Sequence, residues 1–196
     1  MDLVLIDSPV ANVANIARAL RAAGASLEVT GDAEAIGRAR KVVLPGVGSY
    51  IAAMNWLVEN GIDKAIRAAV GNGASLLGIC VGHQVLFDRS HEMGRTAGLG
   101  LLRGEVLPFD GALPVPQIGW NRVTGHGPLF DGVENEVFYF VNSYAVMEAP
   151  DEIARADYGA PFTAAVQHER IFGVQFHPEK SSLAGMRVLR NFVAWT

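Results

Sequence analysis

Leu76-Leu77-Gly78-Ile79-Cys80-Val81-Gly82 is an apolar run that ends in a cysteine bracketed by two glycines. The pentapeptide Gly78-Ile79-Cys80-Val81-Gly82 has the pattern of a strand–nucleophile–helix elbow, with Cys where Ser is often found. On so sharp a turn the nucleophile takes a strained backbone conformation, and side chains two residues to either side would clash. Such a turn lifts the sulfur above a sheet and points a helix N-terminus at it. The partial positive charge there favours the thiolate, the reactive form of cysteine. The competing reading is a buried, inert Cys between glycines that merely let a helix pack closely.

Upstream, short apolar runs alternate with amphipathic segments. Leu3–Ile6, Leu27–Val29 and Val42–Leu44 read as strands. Val10–Ala23 reads as a helix, from the spacing of Val13, Ile16, Ala17 and Leu20, with Gly24 as its stop. One or two helices lie between Ser49 and Asn72, divided near Asn60-Gly61, and another is expected over about Val81 to Asp88. After Gly98 the texture changes. Gly and Pro become frequent, and Val137–Val141, Phe162–Val166 and Ile171–Phe176 read as antiparallel strands attached to the parallel core. A helix over about Ser182–Trp195 closes the chain. The expected fold is α/β in three layers, with a mostly parallel central sheet, helices on both faces and an added antiparallel β region. No repeat or linker interrupts residues 1–196, which predicts a single domain.

The composition excludes several function classes. Sixteen Lys+Arg against 20 Asp+Glu give a net charge of −4, and no basic run offers a nucleic-acid footprint. No stretch reaches the roughly 18 apolar residues of a membrane span; Ser75–Phe87 is interrupted by His83 and Gln84. The opening Met1-Asp2-Leu3-Val4-Leu5-Ile6-Asp7 has an acid where a signal peptide needs basic residues. The single Cys cannot form an internal disulfide, which suits a reducing cytoplasm.

A cysteine nucleophile needs a base, and the base needs an orienting group. His83, three residues past Cys80 on one helix, is expected at the surface or lining the site rather than facing the sulfur. His91, His126 and His168 sit among charged or turn residues and read as solvated. His177 follows the run Ile171–Phe176, so it emerges at a strand's C-terminal edge, where α/β sheets place their sites. Pro178 biases His177 towards an extended conformation, in which residue i+2, Glu179, points the same way. Glu179 can then orient the imidazole. A metal pair is the alternative, but no third ligand stands at a suitable spacing, and His91-Glu92 lacks the second His of a zinc motif. Pro45-Gly46-Val47-Gly48-Ser49 follows a strand and leads into a helix. It reads as a plain tight turn, as a phosphate loop without the usual Lys, or as an oxyanion hole beside the cysteine.

Together, Pro45-Gly46-Val47-Gly48, Gly78-Ile79-Cys80-Val81-Gly82-His83-Gln84 and Phe176-His177-Pro178-Glu179 resemble the class I, triad-type glutamine amidotransferases over nearly the whole chain. The resemblance implies that Cys80 is the nucleophile, His177 the base and acid, and Glu179 the orienter. It further implies an oxyanion hole from the N–H groups of Gly48 and Val81, with Gln84, Ser143 and Tyr144 holding the substrate glutamine. Val115–Asn121, Phe138–Tyr144 and His177–Ser181 are similar to the glutaminase subunits of imidazole glycerol phosphate synthases. That implies a heterodimer with a (βα)8-barrel cyclase subunit, contacts from Asn12, Asn15, Trp120 and Lys180, and no metal or organic cofactor. Two alternatives stand beside it: a glutaminase for another synthase, of anthranilate or pyridoxal phosphate, and a non-catalytic module of the same fold. The chain departs from the family pattern at Asp7-Ser8-Pro9-Val10-Ala11-Asn12, which lacks two expected glycines. It departs also at Asn142, where His is common, and at Pro114, where Lys is common.

Overall fold

Four short apolar runs lie side by side in parallel: β1 (Leu3–Ile6), β2 (Leu27–Thr30), β3 (Lys41–Gly46) and β4 (Ser75–Cys80). The computed structural model describes residues 2–9, 11–111 and 113–196. Met1 and Val10, named in the expected opening strand and first helix, lie outside the described residues. Every residue of β1 and β4 is buried, as befits strands covered on both faces.

Between the strands run α1 (Val13–Ala22), α2 (Ala33–Gly37), α3 (Tyr50–Glu59) and α4 (Ile62–Gly71), and α5 (Val81–Gln84) follows β4 directly. The strand order β2-β1-β3-β4 sends the chain first one way and then the other. Right-handed crossovers therefore place α1 on one face and α2, α3 and α4 on the opposite face. The packing agrees: α2 and α3 contact α4.

The rest of the chain supplies β5 (Arg89–Ser90), β6 (Thr96–Ala97), β7 (Glu105–Pro108), β8 (Gln117–Gly125), β9 (Asn135–Asn142), β10 (Tyr144–Val146), β11 (Glu152–Asp157), β12 (Pro161–His168), β13 (Ile171–Val174) and α6 (Ser182–Ala194), which packs on α1. β13 is the seam. One edge pairs parallel with β4 and the other antiparallel with β12. β8 and β9 form a long antiparallel ribbon, tied to the sheet through β11.

Several expectations need correction. The first helix starts at Val13, because the Asn12 side chain accepts from the Asn15 N–H at 3.3 Å and caps it. The helix expected over Val81–Asp88 stops at Gln84. Carbonyls that would continue it are taken by a returning segment: Leu99 N–H donates to Val85 O, Leu101 N–H to Leu86 O and Gly98 N–H to Asp88 O. This lets Val85, Leu86 and Phe87 all be buried, which one helix face could not do. Ile171–Phe176 is not a wholly antiparallel strand; it ends at Val174 and joins the parallel core. β8 and α2 carried no strong periodic signal. β8 mixes Gly119, Asn121, Arg122 and Thr124 into a half-exposed strand, and α2 has five residues.

The elbow is packed backbone to backbone. A Cβ at Gly82 would lie 2.0 Å from Leu44 O, and one at Gly78 would lie 2.5 Å from Gly82 O. Gly71, at the exposed end of α4, meets nothing within 4 Å. Gly82→Ala is therefore expected to destabilise the fold by at least about 1–3 kcal/mol. Gly71→Ala is expected to stabilise it by up to about 1 kcal/mol, because Ala is the better helix former. Thermal melts of the two variants check the contrast; a Gly82→Ala protein melting with the parent would refute the packing.

Candidate active site

Cys80 ends β4 with φ +55° and ψ −113°, the strained conformation that the elbow requires. Its side chain lines a cavity of about 460 Å³ at the C-terminal edges of β3 and β4. The walls include Val47 and Gly48 after β3, Val81 and Gln84 on α5, Val141 to Tyr144 around the end of β9, and His177 with Lys180 after β13, with Asn12, Glu92 and Pro116 completing them. Gly48 has φ +81°, a region that strains any side-chain-bearing residue. Val81 is the first residue of α5, so its N–H has no intrahelical acceptor. Gly48 and Val81 thus both stand on the cavity wall with the sulfur.

The backbone of His177 is clamped. Its N–H donates to Tyr139 O at 2.9 Å, and its carbonyl accepts from Ser181 Oγ at 2.6 Å. Ser181 Oγ accepts in turn from the Tyr139 N–H at 2.9 Å. The His177 imidazole lies between the Cys80 sulfur and the Glu179 carboxyl group. Nδ1 is 2.9 Å from Glu179 Oε1, and both side chains are almost completely buried. Burial alone would lower the imidazole pKa. Hydrogen bonds to Cys80 and Glu179, with the charges of both groups, outweigh it and raise the value to about 10. The arrangement therefore favours the imidazolium form of His177.

Most of the predicted residues meet here: Cys80, Gly48, Val81, Gln84, Ser143, Tyr144, His177, Asn12 and Lys180 line the cavity, and Glu179 stands behind His177. Asn15 and Trp120 do not. Asn15 Oδ1 accepts from Arg18, and Trp120, 54% exposed, stacks edge-on against Tyr139, over which Lys180 Nζ also sits.

His83 corrects an expectation. It is completely buried rather than at the surface, packed edge-to-face on Phe87 and filling the space left by Gly173. The short α5 turns it inward, away from the cavity. Two residues escaped the sequence reading. Glu92 lines the cavity, with Oε2 accepting from the Tyr50 N–H at 2.9 Å; it lies in a polar turn with no periodic signal. Gln175 is fully buried, and its Nε2 lies 3.8 Å from Cys80 Sγ. The signal for it was a lone polar residue in an apolar strand run, since buried polar groups find partners.

An elbow cysteine and a buried His–Glu pair beside one cavity of an α/β fold are the groups that acyl transfer by a cysteine nucleophile requires. The family model described as glutamine amidotransferase class-I matches residues 4–195, and the chain belongs to that family. Among its relatives, the imidazole glycerol phosphate synthase subunit HisH of Geobacillus thermodenitrificans (strain NG80-2) is 45% identical over 199 residues, covering 96% of this chain and 93% of the relative. The protein of that name from Moorella thermoacetica is 43% identical over 195 residues, covering 97% and 93%. In fold, the chain resembles a crystal structure of a glutamine amidotransferase with a TM-score of 0.77 at 19% identity, covering 96% of each chain. The PurLQS structure from Thermotoga maritima gives the same TM-score and identity, with 97% and 96% covered.

The buried His83 imidazole has a measurable consequence. Desolvation lowers its pKa to about 3 in the folded chain, against about 6.5 when unfolded. Its contribution to stability is therefore complete above pH 6.5. It is lost as the pH falls towards 3, at up to about 1.4 kcal/mol per pH unit. His177, raised rather than lowered, acts in the opposite direction: its contribution is complete below pH 6.5 and lost as the pH rises through about 10. Urea unfolding between pH 4 and 7 should show a shallower acid slope for His83→Met than for the parent. Equal slopes would mean that His83 takes up its proton in the folded state.

Proposed function

We propose that this chain is the glutaminase subunit of an imidazole glycerol phosphate synthase, a single catalytic domain working in the cytoplasm beside a cyclase subunit with a (βα)8 barrel. It hydrolyses glutamine to glutamate and ammonia, and the ammonia passes to the cyclase. There it is built into imidazole glycerol phosphate, with aminoimidazole carboxamide ribonucleotide as the second product, in histidine biosynthesis. The observation that carries the chemistry is the His177 imidazole held between Glu179 and Cys80. The relatives' names favour this synthase over those for anthranilate or pyridoxal phosphate. No helix among the described residues is long and apolar enough to cross a membrane, which is compatible with this setting.

In this reading the Cys80 thiolate attacks the side-chain amide carbon of glutamine. Negative charge develops on the carbonyl oxygen, which the N–H groups of Gly48 and Val81 stabilise. His177, charged by the thiol proton, donates that proton to the nitrogen as ammonia leaves, and a thioester remains. Water, deprotonated by His177, attacks the thioester. Collapse of the second intermediate releases glutamate and regenerates the thiol. Glu179 accepts from Nδ1–H and fixes the ring so that Nε2 faces the sulfur. Glu92 is the carboxylate on the cavity wall, and it supplies a counter-charge for the substrate's α-ammonium. Gln84 has both amide hydrogens engaged, with Tyr144 O and Gln175 Oε1, so only its oxygen is left for substrate. The exposed apolar side chains of Ile118 and Trp120, beside Lys180, supply a docking edge for the cyclase.

The decisive experiment is Cys80→Ala in the assembled complex. Glutamine-dependent synthesis should disappear while ammonia-dependent synthesis persists; loss of both in a folded complex would give Cys80 another role. For Glu92→Ala, KM for glutamine should rise about tenfold or more with a smaller change in kcat, because the lost contact is made in ground and transition states alike. An unchanged KM would remove Glu92 from substrate binding.

A further inference from the structure

Behind the nucleophile lies a chain of side-chain amides whose link to the sulfur hydrolysis as described does not use. Gln84 Nε2 donates to Tyr144 O at 2.9 Å and to Gln175 Oε1 at 2.9 Å, and Gln175 Nε2 reaches Cys80 Sγ at 3.8 Å. The direction of this chain is set at one end. Tyr144 O is a backbone carbonyl and only accepts, so the Gln84 group facing it is the NH2. That NH2 also faces Gln175, so the Gln175 atom meeting it is the oxygen. The Gln175 NH2 is then left to face the sulfur. Asn142 Nδ2 donates to the same Tyr144 carbonyl at 3.0 Å and helps fix the anchor.

We infer that Gln175 is a catalytic residue that stabilises the Cys80 thiolate by donating an amide N–H to it, with Gln84 as the positioning residue that keeps the amide in this orientation. The inference rests on the reading of Cys80 as nucleophile. Its chemical sense lies in the competing partner. As a thiol, Cys80 donates to Val141 O at 3.9 Å, a contact that favours the protonated sulfur. Once the proton has moved to His177, that carbonyl only repels the sulfur, whereas an N–H donor gains strength from the charge. Both glutamines are buried, so water does not substitute for the amide.

The charged and titratable groups around the sulfur are few. His177 and, through it, Glu179 come from the segment after β13; Glu92, Tyr144 and Lys180 line the same cavity; and His83, on α5, faces away into the core. Gln175 is the neutral donor among them.

The test exploits the single cysteine: alkylation of the full chain by iodoacetamide reports Cys80 alone. In Gln175→Leu the pH midpoint of the alkylation rate should rise by about one unit, a roughly tenfold lower rate at pH values below both midpoints. Gln175→Glu, which places a carboxylate where the donor was, should raise it further. Gln84→Leu keeps the donor but frees it to turn, and should give a smaller rise. The Gln84 variant also tests the idea if the Gln175 variants do not fold. Unchanged midpoints in folded variants overturn the inference even if glutaminase turnover falls, since packing alone would lower turnover without moving the midpoint. Failure of the nucleophile reading itself would look different: glutaminase activity would then survive Cys80→Ala.

Discussion

The positive φ at Cys80 is the constraint on which the rest of the site depends. A side-chain-bearing residue in that region costs about 1–3 kcal/mol and persists only where its surroundings leave no alternative. Here the surroundings are backbone. Cβ atoms at Gly46, Gly78 and Gly82 would each lie under 3 Å from neighbouring main chain, so β3, β4 and α5 approach at distances that only glycine permits. The sulfur gains a fixed place at the C-terminal edge of the sheet, and Val81 gains a free N–H beside it. A second effect is on α5 itself. Starting from so sharp a turn and ending after four residues, it turns His83 into the core and Gln84 towards β10.

That constraint was legible in the amino-acid sequence, because an apolar run that ends in a cysteine flanked by two glycines is built for a tight backbone turn. His177 and Glu179 were legible through Pro178, although only His177 is extended: Pro178–Lys180 is a 3₁₀ turn, and that turn rather than extended chain brings Glu179 back to the ring. The parallel strands could be read because strands covered on both faces are continuously apolar. Other parts were hidden for physical reasons. The ribbon of β8 and β9 is half exposed, so Gln117–Gly125 mixes glycine and polar residues with exposed Ile118 and Trp120 and resembles loop. The true end of α5 is set by hydrogen bonds from residues 98–102, which no local window contains. His83 was misread because helical spacing gives direction only for as long as the helix continues. Glu92 reaches the cavity by a turn, and a turn leaves no periodicity.

The two ends of the parallel sheet are electrostatically unlike. The larger concavity, about 730 Å³, lies at the N-terminal ends of β1, β3 and β4, far from Cys80, and carries Arg38, Arg40, Lys41 and Arg170 against Asp2. In an acidic protein this basic patch has a structural cause. The C-termini of α1, α2, α4 and α6 come to that end, and helix C-termini carry partial negative charge. The Lys41 ammonium donates to the carbonyl of Val193 in the last turn of α6. Size alone would thus have chosen the wrong end. The smaller cavity is distinguished by convergence, since a strained cysteine, a buried imidazole and a buried carboxylate all address it.

β9 joins that cavity to the edge proposed for the cyclase. Along this strand Tyr139 is held between Trp120 and Lys180 on its exposed side, while its backbone exchanges hydrogen bonds with His177 and Ser181. A partner pressing on Trp120 would therefore act on the strand that fixes the height of His177 above the sheet. Two residues further on, Val141 supplies the carbonyl that accepts from the Cys80 thiol, and the next residue, Asn142, braces the Tyr144 carbonyl at the head of the amide chain. A small shift of β9 would change the distances from sulfur to imidazole, from sulfur to carbonyl and from Tyr144 to Gln84 together. Of the three departures from the family pattern that the sequence reading suggests, Asn142 falls on this strand and Pro114 before its partner β8. In this chain, coupling between docking and catalysis should therefore be sensitive to β9 rather than to the elbow, whose backbone packing leaves it no second position.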